Sequence, residues 1–469
     1  MLTGISQKCL PNPVLAQKLS QWIGCARVIY NAKCEEDHYL RTYASKYLPI
    51  GTYPTIDKQY SQYKTDETKW LSDCPSQILR NSATIWHKAY SNFLKGVAKG
   101  RPRRKNKLKG NYIWLTREVF RLHWEGAYCV IEFGTVKNPV GIMRVKWNKK
   151  RIPKEPPASI WIRKTSWGWT ISFSYEDGHL VESEDNEAHL KHLSGLAEDD
   201  LIQMITPIDR GVARPVQTDK QTIDISSAAK DKMAYRSKLI KRYQRKSARQ
   251  DKGSKSRRRT LGKIAKLKQQ DVNVKNDFWH KTTYDLAENA KVIVMEDLKI
   301  QNMTRRPKPK QDPQTGKWLR NGAAAKSGLN KSMLNLGLYK FENYLTYKME
   351  RRNKPLFKVS PYLTSQECAH CGYIHPDNRK ERADFECLSC GHIDNADHNA
   401  ALVIRKRAIK LLLNSGTELV GAKANVLRLR GNRNPSKTSE LTGWDAHDDF
   451  SKKKAAWKSR QKLGSFMAE

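Results

Sequence analysis

Four cysteines and three isolated carboxylates are the residues of this chain whose types and spacing can do chemistry. Cys368 and Cys371 form one Cys-x-x-Cys pair, Cys387 and Cys390 form another, and fifteen residues separate the two. That spacing suits a tetrahedral zinc ion closed by four thiolates. Gly372 and Gly391 each follow a pair, where such a knuckle turns back and needs a positive φ. Four sulfurs leave no open position on the metal, so one structural Zn²⁺ is expected. His370, His375 and His392 crowd the same stretch and are expected to be loop residues rather than ligands. Seven residues beyond the last cysteine stands Asp397, and the expected task of the zinc is to hold it in register with acids from far upstream.

Two such acids exist. Asp209 closes the apolar strand in IQMITPIDRGVARPVQT, and Glu296 closes the apolar run in KVIVMEDLKIQNM. Asp397 precedes a predicted helix, so neighbouring parallel strands can bring all three acids to one edge of a sheet. Three hard oxygen donors there suit two Mg²⁺ ions about 4 Å apart, one activating water and one stabilising the leaving 3′-oxygen of a phosphodiester. Such ions also neutralise charge developing on the scissile phosphate.

The elements that must position these groups sit in a strongly basic chain. Lys and Arg number 87 against 47 Asp and Glu, a formal charge of +40 with a pI near 9.9. The partner expected from that balance is a polyanion. There is no apolar run of eighteen residues and no secretory or lipidation signal, so no membrane partner is expected. Beyond the knuckles, Cys9, Cys25, Cys34, Cys74 and Cys129 are scattered singly, which suits a reducing cytoplasm.

Residues 1 to about 105 read as helical. Leu15, Leu19, Trp22, Ile23 and Ala26 fall at helical spacing, as do Ile78, Ile85, Ala89, Phe93 and Leu94 in a helix expected to be capped by Ser76. Gln77, Arg80 and Asn81 on that helix are of types that read base edges. The basic run that follows, with Arg101, Arg103, Arg104 and Lys105, suits phosphates. From Tyr112 to Tyr175 the period switches to two, and six short runs, the last two joined at Ser166-Trp167-Gly168, predict a small antiparallel barrel. Glu176 to Asp200 carries nine acids against one Lys and reads as a linker. Lys230 to Lys268 holds seventeen Lys or Arg, with an apolar stripe of Leu261, Ile264 and Leu267 and a break at Arg257-Arg258-Arg259. Helices with one face on protein and the rest on phosphates are expected there. A basic Pro-rich loop from Arg305 to Lys317, a helix from about Leu329 to Arg352, a strand at Phe357 to Val359 and a closing helix in HNAALVIRKRAIKLLL complete the reading. Nothing regular is expected beyond Leu413, and residues 431 to 443 read as a linker to a basic tail.

Taken together, the chain resembles the TnpB family of transposon-encoded, RNA-guided DNA nucleases, related to the miniature type V CRISPR effectors. PIDRGVARP is similar to the family's first RuvC motif, VIVMEDLKIQNMT to its second and NADHNAA to its third, with TSQECAHCG and FECLSCGH as the zinc finger inserted before the last. The strong resemblance covers roughly residues 203 to 410, and CARVIYN and the helix from Ser76 resemble the recognition lobe more loosely. It implies a multidomain α+β protein: an N-terminal wedge β-barrel with an inserted helical recognition lobe, then an RNase H-like RuvC α/β domain with an inserted four-cysteine zinc finger. The implied boundaries are wedge 1–20, recognition lobe 21–105, wedge barrel 106–178, linker 179–202, RuvC 203–362, zinc finger 363–395, RuvC 396–413 and tail 414–469. Asp209, Glu296 and Asp397 are implied as the catalytic, Mg²⁺-binding acids. The family usually has Gly where Pro207 stands, and a proline there is expected to strain strand pairing without abolishing activity.

The function implied is cleavage of both DNA strands by one site, with a guide RNA pairing to the target strand beside a short motif read by the protein. The partners implied are guide RNA and double-stranded target DNA, with a monomer or homodimer on one RNA, in a prokaryotic cytoplasm and on the nucleoid when bound to DNA. A miniature type V CRISPR effector fits the same motifs. An RNA-guided regulator without cleavage fits less well, because all three carboxylates are present, and a transposase acting on its own element ranks lower.

Overall fold

The computed structural model describes residues 2–47, 57–106, 110–135, 138–147, 155–166, 168–176, 186–414, 418–420 and 427–430. The chain divides into two compact units, residues 1–180 with 246–269, and residues 181–245 with 270–469.

The first unit contains β1 (Leu2–Cys9), α1 (Pro13–Thr42), α2 (Ser76–Leu94), β2 (Tyr112–Thr116), β3 (Phe120–Glu125), β4 (Tyr128–Gly134), β5 (Pro139–Lys146), β6 (Ser159–Thr165) and β7 (Gly168–Glu176). All six strands predicted from the period-two runs form. Among the described residues they make, with β1, two antiparallel sheets, ordered β1-β7-β6-β2 and β3-β4-β5, rather than one hydrogen-bonded ring. Both sheets and the two helices share one core, from Leu19 and Trp22 to Ile131 and Phe173. The helical reading of the first residues is corrected: β1 pairs with β7 from Leu2↔Glu176 to Cys9↔Trp169. Its alternation is thin and its partner lies far along the chain, so local sequence could not announce it. Ser76 is also corrected from cap to first helical residue, since Pro75 occupies the N-cap and no side chain caps the helix. The buried stripe of α2 is Ile78, Leu79, Ala83 and Trp86, while Leu94 is exposed.

The second unit runs through α3 (Asn186–Ser194), α4 (Glu198–Met204), β8 (Ile205–Ile208), β9 (Val216–Gln217), β10 (Thr222–Ile223), α5 (Ser227–Ala248), α6 (Lys255–Asn289), β11 (Val292–Glu296) and α7 (Ile300–Met303). It continues with β12 (Lys310–Gln311), β13 (Trp318–Leu319), α8 (Ala323–Leu336), α9 (Leu338–Glu350), β14 (Leu356–Val359), β15 (Asp384–Glu386), β16 (Ile393–Asn395), α10 (Ala396–Leu412), β17 (Glu418–Val420) and β18 (Leu427–Arg430). The segment joining α5 to α6 belongs to the first unit.

The central sheet has the order β17-β18-β14-β11-β8, with β18, β14, β11 and β8 parallel and β17 antiparallel. Alternation along the strands builds two cores. Val292 and Val294 of β11 join Ile404, Ala408 and Leu412 of α10 on one face, whereas Ile293 and Met295 join Trp279 of α6 and Phe341 of α9 on the other. A buried parallel strand reads as a continuous apolar run for this reason.

Four further readings are revised. The acidic linker is partly helical, and Leu193 and Leu201 of α3 and α4 are buried in the α10-side core. The expected long helix is two, because Gly337 takes a φ of 82° between α8 and α9, where the Trp279 indole donates to the Leu336 carbonyl at 2.9 Å. Two strands lie beyond Leu413, and they extend the sheet. In the basic hairpin Ile264 is buried but Leu261 is exposed, and Arg257 to Arg259 lie inside the first turn of α6. Trp167 and residues 431 to 443 lie outside the described residues. No helix among the described residues is long and apolar enough to cross a membrane.

Candidate metal centres and nucleic-acid contacts

Parity along the sheet decides where the acids point. Glu296 continues the Val292/Val294 face of β11, and Asp209, one residue past β8, continues the Ile205 face, so both turn toward α10. The ladder ends at Met295↔Ile208, which leaves Asp209 and Glu296 next to one another at the carboxyl ends of adjacent parallel strands. Asp397 sits in the first turn of α10, not ahead of it, and its N–H donates to the Oδ1 of the N-cap Asn395 at 3.1 Å.

Electrostatics report the same gathering. Burial, then the charges of Glu296 and Asp397, push Asp209 up to about 8. Burial also raises Glu296, against a hydrogen bond from the Thr364 hydroxyl and the charges of Arg210 and Arg407. Like charges this close cannot all ionise without a counter-cation.

Basic side chains frame the acids. Arg379 lies 3.2 Å from Asp397 Oδ1, and Arg214 lies 4.0 Å from its other oxygen while bonding Asn395 at 2.8 Å. Behind the sheet Arg210 donates to the Glu296 carbonyl and to Glu342 of α9, both at 2.8 Å, and Lys358 pairs with the same Glu342. Burial raises Glu342, but Arg210 and Lys358 overcome it and hold the carboxyl below its ordinary value. Sequence reasoning named none of these basic residues, for lone arginines in a chain this basic carry no signal.

The knuckles match their reading. The four sulfurs lie within 4.8 Å of one another, with Cys368–Cys390 at 3.7 Å and Cys371–Cys387 at 3.5 Å. A tetrahedron with zinc–sulfur bonds of about 2.3 Å has edges of about 3.8 Å, so the donor set fits Zn²⁺ as it stands. Gly372 and Gly391 take φ of 79° and 71°. Among the described residues this is the one group of three or more metal-ligating side chains gathered so tightly. The three carboxylates interact electrostatically but are not gathered within that span. His375 accepts from the Asp377 N–H at 3.2 Å, a loop role.

Two buried asparagines complete this region and were missed. Asn378 donates to the Gln366 and Tyr373 carbonyls and accepts from the Leu388 N–H, tying the two knuckles together. Asn399, fully buried in α10, accepts from the Ala369 N–H at 2.9 Å and donates to the Glu367 carbonyl at 2.7 Å. It thus joins the first knuckle to the helix that carries Asp397. Its signal was an amide on the apolar stripe of Ala396, Ala400 and Val403.

The expected nucleic-acid residues divide. Ser76 and Arg80 are exposed and Gln77 half-buried, with Arg80 bonded to Gln77 and 3.3 Å from Glu118. Asn81 is corrected: it is buried, and its amide donates to the Trp114 carbonyl at 3.0 Å, so it is a packing residue. Lys105 is corrected likewise. Its ammonium lies 3.4 Å above the Tyr30 ring and 2.6 Å from the Tyr112 hydroxyl, and burial lowers it to about 8. Arg101 pairs with Asp37 at 2.5 Å and covers Phe93, and Arg104 pairs with Glu35 at 2.9 Å. Arg103 is exposed with no partner among the described residues. Arg257 and Arg258 donate to the Gln250 and Gly253 carbonyls and so close the helical turn, while Arg259 is exposed.

The arrangement is an α/β domain with acids at the carboxyl edge of its sheet and a four-cysteine insert that delivers the last of them. The family model described as Cas12f1-like, TNB domain matches residues 339–404. The InsQ protein of Escherichia coli (strain K12), named as an RNA-guided DNA endonuclease, is 27% identical over 389 residues, 82% of this chain and 87% of the relative. A CRISPR-associated endodeoxyribonuclease Cas12f1 of Sulfoacidibacillus thermotolerans is 38% identical over 72 residues, 15% of this chain and 17% of the relative. A cryo-EM structure of a Cas12f1-sgRNA-target DNA complex is similar with a TM-score of 0.49 and 15% identity, covering 83% of each chain. The chain is thus similar to proteins named as RNA-guided and CRISPR-associated DNA endonucleases, and the Cas12f1-like family model matches it over residues 339–404 alone.

Proposed function

We propose that the chain is an RNA-guided DNA endonuclease of RuvC type, in which Asp209, Glu296 and Asp397 hold two Mg²⁺ ions and one site cuts both DNA strands. The names of its relatives support the reaction class. The observation that carries the site is the convergence of three acids from distant segments, with Asp209 pushed up to about 8 by burial and by the other two. Divalent cations, when bound, relieve that repulsion and supply an activated water and charge neutralisation at the phosphate.

The chain's own residues do the positioning. The Gln217 N–H and carbonyl bond Asp209 reciprocally at 2.9 Å, Thr364 orients Glu296, and Asn395 fixes the turn that carries Asp397. Arg379 and Arg214 stand where a phosphate oxygen approaching Asp397 meets a guanidinium fork. The exposed Arg80, Arg103 and Arg259, with Gln77, are proposed to contact nucleic acid, and the knuckles are proposed to bind Zn²⁺.

The test loads the full chain with the RNA that copurifies with it and offers a matched DNA duplex in Mg²⁺. Asp209→Ala, Glu296→Ala and Asp397→Ala should each abolish cleavage and leave RNA-dependent DNA binding intact. Appreciable cutting by any of them removes that residue from the site. Sequencing the copurified RNA separates a transposon-end guide from a CRISPR repeat.

A further inference from the structure

Between α7 and α8 the second unit carries a β-hairpin whose side chains no part of the site uses. β12 and β13 pair as Lys310↔Leu319 and Gln311↔Trp318. Trp318 is 69% exposed and Leu319 50%, an unusual place for an indole in so polar a segment. The tip is rigidly built. The Asp312 N–H donates to the Lys317 carbonyl and the Gly316 N–H to the Asp312 carbonyl, both at 2.9 Å, while Gly316 takes a φ of 65°. The Asp312 carboxylate accepts from the Thr315 hydroxyl at 2.7 Å and the Gln314 N–H at 3.0 Å. Gln311, across from Trp318, donates its amide to the Gly316 carbonyl at 2.7 Å, and Asn321 pins the base of the hairpin through the Lys308 carbonyl at 2.9 Å.

Charge surrounds this aromatic. Arg305, Arg306, Lys308, Lys310, Lys317 and Arg320 are all exposed or half-exposed, and none forms an ion pair with a described residue. The one acid in the stretch, Asp312, is occupied by the turn. We propose that this hairpin is a stacking platform for single-stranded DNA, with the Trp318 indole against an unpaired base and the flanking cations on its phosphates. An exposed indole on a fixed hairpin offers a face to a base, and only an unpaired base has a face to offer in return, since duplex bases already stack on one another. DNA is chosen over RNA because the reaction proposed above acts on a DNA strand, which must be unpaired where it is cut, and the hairpin lies in the segment that comes after Glu296 and α7 along the chain. The inference deepens the endonuclease reading by naming the form of the substrate, but binding of the strand is measurable without cleavage.

The experiment uses the full chain with its copurified RNA, in salt high enough to suppress purely electrostatic binding. Fluorescence anisotropy is read with labelled oligo-dT, a DNA duplex of the same length and oligo-rU. Trp318→Ala should weaken oligo-dT binding about five- to hundredfold, leave its salt slope unchanged and leave the duplex alone. Trp318→Phe should retain most of the affinity, and Lys317→Ala with Arg320→Ala should lower the salt slope. An iodo-deoxyuridine oligonucleotide should photo-crosslink within residues 310–320. Unchanged oligo-dT affinity in Trp318→Ala, an equal loss on the duplex, or a loss confined to oligo-rU overturns the proposal. Melting temperatures of both Trp318 variants should equal that of the parent, because the side chain is outside the core.

Discussion

Replacing Asn399 with Ala isolates the link between the four-cysteine knuckles and the sheet edge that carries the proposed catalytic acids. The side chain is fully buried, and its loss strands the Ala369 N–H and the Glu367 carbonyl, which flank Cys368. Each unsatisfied buried group costs about 1–3 kcal/mol, so the pair costs about 2–6 kcal/mol. A structural zinc site contributes about 10–16 kcal/mol at neutral pH, so the metal wins and the knuckles stay loaded. The damage therefore falls on the docking of the knuckles against α10, where Asp397 is carried. Because two units of one chain need not unfold together, amide hydrogen exchange is the right assay. Exchange in the first turn of α10 and around Cys368 should speed by at least about thirtyfold, with zinc content unchanged and cleavage reduced. Asn399→Asp should be no milder, since it keeps the acceptor for Ala369 but sets an oxygen against the Glu367 carbonyl. Unchanged exchange in Asn399→Ala, stoichiometric loss of its zinc, or a benign Asn399→Asp would refute the reasoning.

Cys387→Ser should release zinc and unfold the stretch around β15 and β16, read by metal analysis and by exchange in the same peptides. Asp209 gives a pH dependence with a definite sign. Its folded value of about 8 lies above its ordinary 3.8, so without divalent cations the folded state holds the extra proton and is progressively destabilised as pH rises toward 8. Cations need the ionised form, so at limiting Mg²⁺ the cleavage rate should climb with pH and level off near 8, and more Mg²⁺ should move the midpoint down. Asn81→Ala should cost about 1–3 kcal/mol of stability and leave flanking-sequence preference unchanged, because its amide serves the Trp114 carbonyl. Gln77→Ala and Arg80→Ala should relax that preference, by about 1–3 kcal/mol for each base edge no longer bonded, in a cleavage library with randomised flanks.

What was legible in the sequence was whatever local spacing encodes. Two Cys-x-x-Cys pairs, the buried run at Val292–Glu296 and the period-two strands from Tyr112 all carry their answer within a dozen residues. What was hidden depended on distant partners. β1 finds β7 across most of the first unit, and β17 and β18 join a sheet whose other strands precede the zinc insert. Asn81 and Lys105 were of the right type for nucleic acid, but type says nothing of burial. The two are separated from Arg103 only by which face of a helix or loop meets Trp114 and Tyr30. The second buried link, Asn399, shows the reverse failure, an amide of no evident chemistry that joins the first knuckle to the helix carrying Asp397.

Pro207 shows how the fold absorbs a departure at its most sensitive edge. Among the described residues β8 is the last strand of the sheet and has β11 on one side only, and the ladder runs unbroken through Val294↔Pro207 to Met295↔Ile208. A proline is tolerated on an edge strand when its missing N–H falls on the unpaired side. Two residues later the chain no longer relies on β11. Asp209 is gripped from β9, with its N–H donating to the Gln217 carbonyl and its carbonyl accepting from the Gln217 N–H, each at 2.9 Å. The acid is therefore fixed by a backbone pair that the proline cannot reach. The rigid φ of Pro207 then narrows the paths by which the strand enters that pair, so the proline is compatible with a firmly placed Asp209.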